Sequence, residues 1–413
     1  MTATGVDLST NDGLWAAPLE ERGRWYRTLR EEAPISFHPE PATERFEEGP
    51  GFWALARHAD VLRASRSPEL FCSGQGAVIR DLPPAYNEFF GSMLAMDDPR
   101  HARLRSLVSA GFTPGMMARI EADIRRAAVE IVAAADEGSG NFVDDIAARL
   151  PLRIICDMMG IPAESYDFVL QQTNIILDPG SNPVGVPRGR AVFEAGMALA
   201  GLMEELITRP GIRHGDSVTA ALLQAEVDGQ RLTTQEIQSF FVLLCAAGNE
   251  TTRNAIAWGL LLLTNHPEQR RRLLDDFDAV ATTAADEIVR YASPVNQFRR
   301  TVTADGVSLG EGAHRKVFAQ GDKVVLLYGS ANRDPSAFDD PERFDVTRDP
   351  NPHVGFGGPG PHYCLGAHLA RREMVVLFEE LFAAYPEITA VGEPERIMSN
   401  QIHGLRHLGY ELR

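Results

Sequence analysis

Apolar and polar positions change period twice along the 413-residue chain. The first part mixes helix and strand spacing. Pro18 to Glu32 predicts a helix, Ile35-Ser36-Phe37 and Phe52-Trp53-Ala54-Leu55 predict strands, and Arg57 to Ser65 predicts a second helix. Residues 72–98, with Gly74, Gly76, Pro83, Pro84 and Gly91, predict a long loop. So long an irregular stretch in a compact chain usually serves function.

From Pro99 onward the spacing is helical, with breaks at Thr113-Pro114, Gly160-Ile161-Pro162 and Asp178-Pro179-Gly180. Val227-Asp228-Gly229-Gln230 predicts a hairpin turn. A long helix is predicted from Thr233 to about Asn265, and another around Ala284 to Tyr291. Short strands then return, a Pro-rich loop fills 334–362, and a helix follows Cys364. No repeat or linker divides the chain. The reading is one mainly α domain with small β-sheets, in segments 1–98, 99–292 and 293–413.

Charge narrows the function. Lys plus Arg number 40 against 57 Asp plus Glu, a net charge of -17, which argues against nucleic-acid binding. A local basic patch is still free to dock an acidic protein. The four cysteines, Cys72, Cys156, Cys245 and Cys364, form no CxxC pair, so a zinc site is not indicated. Cys156 and Cys245 sit in apolar runs and read as buried free thiols. Few cysteines in a long chain point to a reducing, cytoplasmic compartment. The N-terminal stretch to Leu14 is polar, and the strongest apolar run, Phe240 to Ala247, is too short to span a bilayer, so no signal peptide or integral membrane segment is expected.

The chemistry concentrates in residues 353–366, His-Val-Gly-Phe-Gly-Gly-Pro-Gly-Pro-His-Tyr-Cys-Leu-Gly. Glycines leave little side-chain bulk, so the backbone can lie close to a flat ligand. Apolar periodicity resumes at Leu365, Leu369, Val376 and Leu377, which puts Cys364 just before a helix N-terminus. The macrodipole there favours a thiolate, and a thiolate axial ligand pushes electron density onto haem iron. The residues alone fit a glycine-rich turn around a structural cysteine equally well. The Lys-Ser/Thr ending of a phosphate loop is absent.

The stretch Phe356 to Gly366 resembles the haem-binding signature of the cytochrome P-450 family. It has one residue more between Phe and Cys than the commonest form. The longer form is similar to that of actinobacterial enzymes acting on steroids and methyl-branched lipids. The resemblance implies haem b with Cys364 as the iron ligand, and Phe356 and Gly366 against the cofactor.

Three further constellations fit it. Ala247-Gly248-Asn249-Glu250-Thr251-Thr252 interrupts the apolar run of the long helix. Back-bonding to a carbonyl one turn earlier would account for Thr252, but not for a buried acid beside it. The stretch resembles the family's oxygen-activation site, which implies that Glu250 and Thr251 relay protons and that Ala247, on Thr251's face, borders the oxygen pocket. Arg253-Asn254 continues the likeness to the steroid and branched-lipid enzymes. Glu287 and Arg290, at i and i+3, read on their own as an exposed pair. They resemble the family's Glu-x-x-Arg motif, which implies Arg343 as third member of a structural trio. His101, Arg105, Arg300 and His362 read singly as surface charges, and together match the family's donors to the haem propionates.

The resemblance covers essentially the whole chain, including Asp97-Asp98-Pro99-Arg100-His101 and Ala331-Asn332-Arg333-Asp334. It is nearest to the mycobacterial methyl-branched lipid ω-hydroxylase group, and a wider likeness takes in the steroid hydroxylases. It implies the triangular, mainly α fold, with haem between the long helix and the helix after Cys364. It also implies insertion of one atom of O₂ into a C–H bond of a hydrophobic small molecule. No flavin or nicotinamide fingerprint is present, so electrons from NAD(P)H must arrive through partner proteins, a ferredoxin and a ferredoxin reductase. The substrate implied is a methyl-branched or isoprenoid lipid. The alternative is a steroid, terpenoid or polyketide of secondary metabolism. A non-catalytic haem sensor is a third reading, against which the Glu250-Thr251 pair counts.

Three departures bear on the substrate. After Pro294-Val295 come polar Asn296 and Gln297, where the family's pocket lies beside the haem, so Val295, Asn296, Gln297 and Ala247 are the candidate pocket residues. Ser308 to Lys323 is long for its hairpin. Residues 178–190, rich in Gly and Pro, stand in place of part of the substrate lid.

Overall fold

The structure is a computed structural model and describes residues 5–412 apart from 12, 44, 45, 111, 113, 136–138 and 228. Thr113 of the expected helix break and Asp228 of the expected hairpin turn therefore lie outside the described residues.

Among the described residues twelve helices have nine residues or more: α1 (Leu19–Glu32), α2 (His58–Arg66), α3 (Arg100–Ala110), α4 (Pro114–Ala133), α5 (Arg149–Met159), α6 (Tyr166–Leu177), α7 (Arg188–Thr208), α8 (Thr234–Leu244), α9 (Glu250–Asn265), α10 (Phe277–Ala292), α11 (Ala367–Ala384) and, between α9 and α10, the short helix Pro267–Asp275. Local sequence explains several of their ends. Thr233 and Glu236 form a reciprocal capping box at the start of α8. Gly160 closes α5 in the left-handed region at φ 77°. Asp276 caps α10 by accepting from the Ala279 N–H, so this helix begins earlier than apolar spacing alone indicates.

Five strands form the larger sheet: β1 (Ile35–Glu40), β2 (Gly49–Leu55), β3 (Phe71–Cys72), β5 (Gln297–Val302) and β6 (Lys323–Leu327), with β4 (Ser139–Asn141) belonging to a second sheet. The order is β1-β2-β6-β5-β3, and only β6 pairs with β2 in parallel. The second sheet joins β7 (Thr389–Arg396), β8 (Leu405–Glu411) and β4 in that order. Glu226–Val227 pairs with Gln230–Arg231 as the expected hairpin, and Ser308–Leu309 pairs with Lys316–Val317.

The main core lies among α4, α5, α8, α9, α10 and α11, with Phe142, Ile155, Phe241, Ile256 and Leu377 buried within it. Cys156 and Cys245 are buried free thiols, as their apolar surroundings predict. Among the described residues no helix is long and apolar enough to cross a membrane.

Two elements differ from the sequence reading. Residues 72–98 are partly helical, with short turns at Pro84–Tyr86, Asn87–Gly91 and Ser92–Ala95. Aromatic packing holds them, Tyr86 stacking on Phe90 at 4.3 Å. Asp81 ties the segment to the sheet through Arg299 and Lys323, both at 2.6 Å. The long helix is continuous from Thr234 to Asn265 but contains a π segment over Cys245–Asn249. A Cβ at Gly248 would stand 2.9 Å from the Ile155 Cδ1, so glycine lets this segment lie against α5. Single π turns inside α-helices often mark functional sites.

Candidate functional site

The cysteine loop is braced before it presents its sulfur. The Cys364 N–H donates to the Phe356 carbonyl at 3.0 Å. The Arg371 guanidinium lies 4.4 Å above the Phe356 ring and bonds Asp286 on α10 at 2.6 Å. The glycines divide by role. A Cβ on Gly358 would stand 2.6 Å from the Ser65 Oγ, and one on Gly360 would meet the Ser65 carbonyl. Both serve close packing on α2, not a ligand face. Gly366 alone combines proximity to Cys364 with open space where a Cβ would project.

Helix α11 begins at Ala367, so Cys364 lies just ahead of its N-terminus as expected. The dipole does not decide the thiol's charge. Burial pushes the Cys364 thiol up, outweighing the Gly366 backbone N–H, Arg105 and Arg371, which pull it down. A bound metal cation would supply the missing stabilisation and deprotonate the thiol outright.

The four expected propionate donors converge beside this loop. The His101 and His362 rings are 4.3 Å apart between centroids. The Arg105 Nη2 donates to the Tyr363 carbonyl at 2.8 Å, and the buried Arg300 donates to the Arg299 carbonyl at 2.8 Å. Burial, then Arg300, His101 and Arg105, pushes His362 down to about 3. Burial also lowers His101, against the pull of Asp98, and lowers Arg300. The buried His101 Nε2 has no partner. Among the described residues neither Arg105 nor Arg300 has an ion pair with a carboxylate. Two arginines without a carboxylate partner, beside two imidazoles that can donate hydrogen bonds, suit an anionic partner carrying more than one carboxylate.

Ala247 is exposed although it lies midway along the central helix, and Leu243, Leu244, Ala246 and Thr251 are half-buried, while Asn249, Glu250 and residues 252–257 are buried. One face of the helix therefore borders a cavity. On that face the Thr251 hydroxyl donates to the Ala247 carbonyl at 2.7 Å. The back-bonding predicted for Thr252 thus belongs to Thr251, because the carbonyl one turn earlier is Ala247's. Glu250 is fully buried. Its Oε1 accepts from the Arg253 guanidinium and, at 3.0 Å, from the Asn254 amide. Arg253 also donates to the Asn174 Oδ1 of α6 at 2.9 Å.

Two groups of expected residues need correction. Glu287 and Arg290 form a fully buried bidentate pair at 2.7 and 2.8 Å. The third cation on Glu287 is Arg348, whose Nε lies 3.2 Å from both carboxylate oxygens, and not Arg343. Arg343 turns its carbonyl inward to accept from Arg290 and Arg348, which points its side chain to solvent beside Asp345. Asn296 and Gln297, offered as pocket residues, are fully buried in the scaffold. The Asn296 Oδ1 accepts from Arg22 and its Nδ2 donates to the Ser399 carbonyl at 2.9 Å. The Gln297 Nε2 donates to Gln401 at 3.0 Å. Val295 remains half-buried, bridged through its backbone to Ile402.

Sequence reasoning missed Arg348, Asn174 and Arg371. Arg348 lies in the same meander as Arg343, five positions on, and nothing in spacing separates the two. Arg253 was legible as a cation three residues after Glu250, the spacing that also relates Glu287 and Arg290.

These residues fit haem. Among the described residues no cluster of three or more His, Cys, Asp or Glu is arranged to hold a bare metal ion. A single thiol beside an open glycine, with unpaired cations near it, suits a metal whose macrocycle brings its own nitrogen ligands and two carboxylates.

Comparison with known proteins agrees. The cytochrome P-450 family model matches residues 203–411. The chain is 46% identical over 408 residues to the methyl-branched lipid omega-hydroxylase of Mycobacterium tuberculosis, covering 98% of this chain and 94% of that one. It is 35% identical to the steroid C26-monooxygenase of Mycolicibacterium smegmatis, with 97% and 92% covered. A Mycobacterium marinum cytochrome P-450 solved in complex with pseudoionone superposes with a TM-score of 0.91 at 41% identity, covering 99% and 98% of the two chains. With the expected fold, the braced cysteine loop and near full-length relatives in agreement, this chain belongs to the cytochrome P-450 family.

Proposed function

We propose that the protein is a haem-dependent monooxygenase that hydroxylates the terminal carbon of a methyl-branched or isoprenoid lipid. The observation that carries the substrate class is the fate of Asn296 and Gln297. The Asn296 amide is committed to Arg22 and Ser399 and so offers no polar anchor to a ligand, and the Gln297 Nε2 is committed to Gln401, while the Gln297 Oε1 is buried without a partner. The accessible face of the central helix is mainly apolar, with Leu243, Leu244, Ala246 and Ala247 beside the one hydroxyl of Thr251. The names carried by the mycobacterial lipid hydroxylase and by the pseudoionone complex support the same class.

Haem bound at this site supplies the oxidising chemistry, in which O₂, two electrons and two protons give one hydroxyl group and water. The chain's residues do the rest. Cys364 would hold the haem iron through its thiolate, His101, Arg105, Arg300 and His362 would hold the propionates, and Phe356 and Gly366 would lie against the cofactor. Thr251 presents its hydroxyl to the cavity, held by the Ala247 carbonyl. Glu250 holds the reserve proton site behind it, kept in place by Arg253 and Asn254. Glu287, Arg290 and Arg348 keep the meander under the cysteine loop rigid.

The reading takes residues 1–413 as one domain, in segments 1–98, 99–292 and 293–413. Electrons from NAD(P)H arrive through a ferredoxin and its reductase, and the four free cysteines are in keeping with a cytoplasmic location. A second reading, hydroxylation of a steroid, terpenoid or polyketide, rests on the 35% identity to the steroid C26-monooxygenase.

Optical titration of the ferric protein tests the substrate class. A saturable low-spin to high-spin Soret shift with a phytanic acid or farnesol derivative at micromolar concentration supports the lipid reading. No shift with the lipid, and a shift with a steroid, favours the second.

A further inference from the structure

Strand β5 carries one half-buried side chain, Phe298, and every other residue from Gln297 to Val302 is buried. Pairing with β6 fixes its company. Leu326 stands opposite Phe298 and Val324 opposite Arg300, and the Tyr328 N–H extends the ladder by donating to the Asn296 carbonyl at 3.1 Å. Strand alternation puts Phe298, Arg300 and their partners on one face and sends Arg299 to the other, where it meets Asp81. Tyr328 joins the first face. Its ring meets that of Phe298 edge-on at 6.2 Å. It packs in one apolar cluster with Val302, Val324, Leu326 and Val354, the last from the loop that leads to Cys364.

Two polar groups on this face have donors to spare. Tyr328 is only 2% exposed, and among the described residues its hydroxyl makes no hydrogen bond. Buried tyrosine hydroxyls usually find a partner. Arg300 is buried too, and its guanidinium uses Nη1 alone, on the Arg299 carbonyl. Unlike the enclosed His101 Nε2, neither the Tyr328 hydroxyl nor the Arg300 Nε and Nη2 is sealed from accessible space. The half-buried Phe298, next to both on the sheet face, marks where that space lies.

The two groups also bear on each other. Burial lowers Arg300, with Tyr328 the first neighbour to hold it up; burial raises Tyr328, and Arg300 pulls it down. Asp97 bears on Arg300 as well, but its oxygens accept from the Ser73 and Gly74 N–H groups at 2.7 and 2.8 Å. A buried guanidinium and a buried phenol without a shared protein acceptor suit an anion that takes several donors at once, as a carboxylate does.

We propose that Tyr328 is a haem-propionate ligand, its hydroxyl donating to the carboxylate that Arg300 holds by charge. The two divide the work. Arg300 supplies the charge, and Tyr328 supplies a directed neutral donor on a ring fixed by Phe298 and Val354, which orients the carboxylate without burying another cation. The inference rests on the reading of Arg300 as a propionate donor.

Haem release tests it without turnover. Transfer of haem from the ferric holoenzyme to excess apomyoglobin gives the release rate. Tyr328→Phe keeps the ring and loses only the hydroxyl, and it should release haem about tenfold faster, as loss of a hydrogen bond to a charged group does. Y328F should also lower the Tm of the holoprotein and leave that of the full-length apoprotein unchanged, since there the hydroxyl has no partner to lose. A wild-type release rate in Y328F, or an equal fall in Tm with and without haem, overturns the proposal. Arg300→Leu separates this from failure of the underlying reading. R300L should release haem faster, and the further effect of Y328F in the double variant should shrink because both groups hold one carboxylate. Full additivity overturns that sharing. If R300L releases haem as wild type does, Arg300 is not a propionate donor and the assignment of Tyr328 falls with it. If R300L releases haem faster and Y328F does not, only Tyr328 is wrong.

Discussion

The Arg348 Nε stands 3.2 Å from each carboxylate oxygen of Glu287, and that carboxylate is fully buried with Arg290. The Asp345 N–H and the Asn351 amide add bonds at 2.9 and 3.1 Å, so one buried acid organises the meander that leads to Cys364. Arg348→Ala should therefore cost about 3–5 kcal/mol of unfolding free energy, as removal of one member of a buried ionic network does. Arg343→Ala, with a half-exposed side chain 3.7 Å from Asp345, should cost no more than about 1 kcal/mol. Urea unfolding of the two variants checks the ranking, and equal losses would return Arg343 to the network.

The facing rings of His101 and His362 make the chain's acid sensitivity depend on haem. Without the cofactor, burial and the neighbouring cations hold His362 at about 3. The unfolded chain binds a proton there near pH 6.5 and the folded chain does not, so stability falls as pH drops below about 6.5 and continues to fall towards 3. Propionates placed among these cations raise the folded pKa and shrink that loss. Thermal unfolding of apo- and holoprotein between pH 7 and 4 should show a steeper fall in Tm for the apoprotein. Parallel curves would remove His362 from the propionate site.

Thr251→Ala removes the hydroxyl now held by the Ala247 carbonyl. NAD(P)H consumption should continue while product falls and peroxide rises, with the ferrous–CO spectrum unaltered. Wild-type coupling in this variant would take Thr251 out of proton delivery.

Asn296→Ala should act on folding and not on substrate. It strips partners from the buried Arg22 and from the Ser399 carbonyl, for a loss of about 1–3 kcal/mol. The lipid dissociation constant should stay within about twofold of wild type, a free-energy difference near 0.4 kcal/mol. A tenfold weaker titration with unchanged stability would make Asn296 a pocket residue after all.

Much of this was legible in the chain. The position of Cys364 ahead of a helix is legible from periodicity, and the family's fold and the grouping of His101, Arg105, Arg300 and His362 near it are legible from motifs matched residue by residue. Glu287 and Arg290 were identified, yet their third partner was not. Arg343 and Arg348 are both arginines of the same irregular loop, and only the tertiary path decides which turns inward. Asn296 and Gln297 failed for a related reason. Polarity in a strand next to a pocket looks like an anchor until the remote partners Arg22, Ser399 and Gln401 are known. The glycines of the cysteine loop were read as one device, whereas Gly358 and Gly360 fit Ser65 and only Gly366 stands open. The π segment was invisible because its apolar spacing differs from that of an α-helix by a single added residue.

The central claim is that Cys364 ligates haem as a thiolate, and the ferrous–CO spectrum of wild type and Cys364→Ala tests it most directly. The account predicts a red-shifted thiolate Soret band in the wild type and its loss in C364A, even where the variant keeps some haem through His101, Arg105, Arg300 and His362. An identical Soret band in both proteins would contradict it.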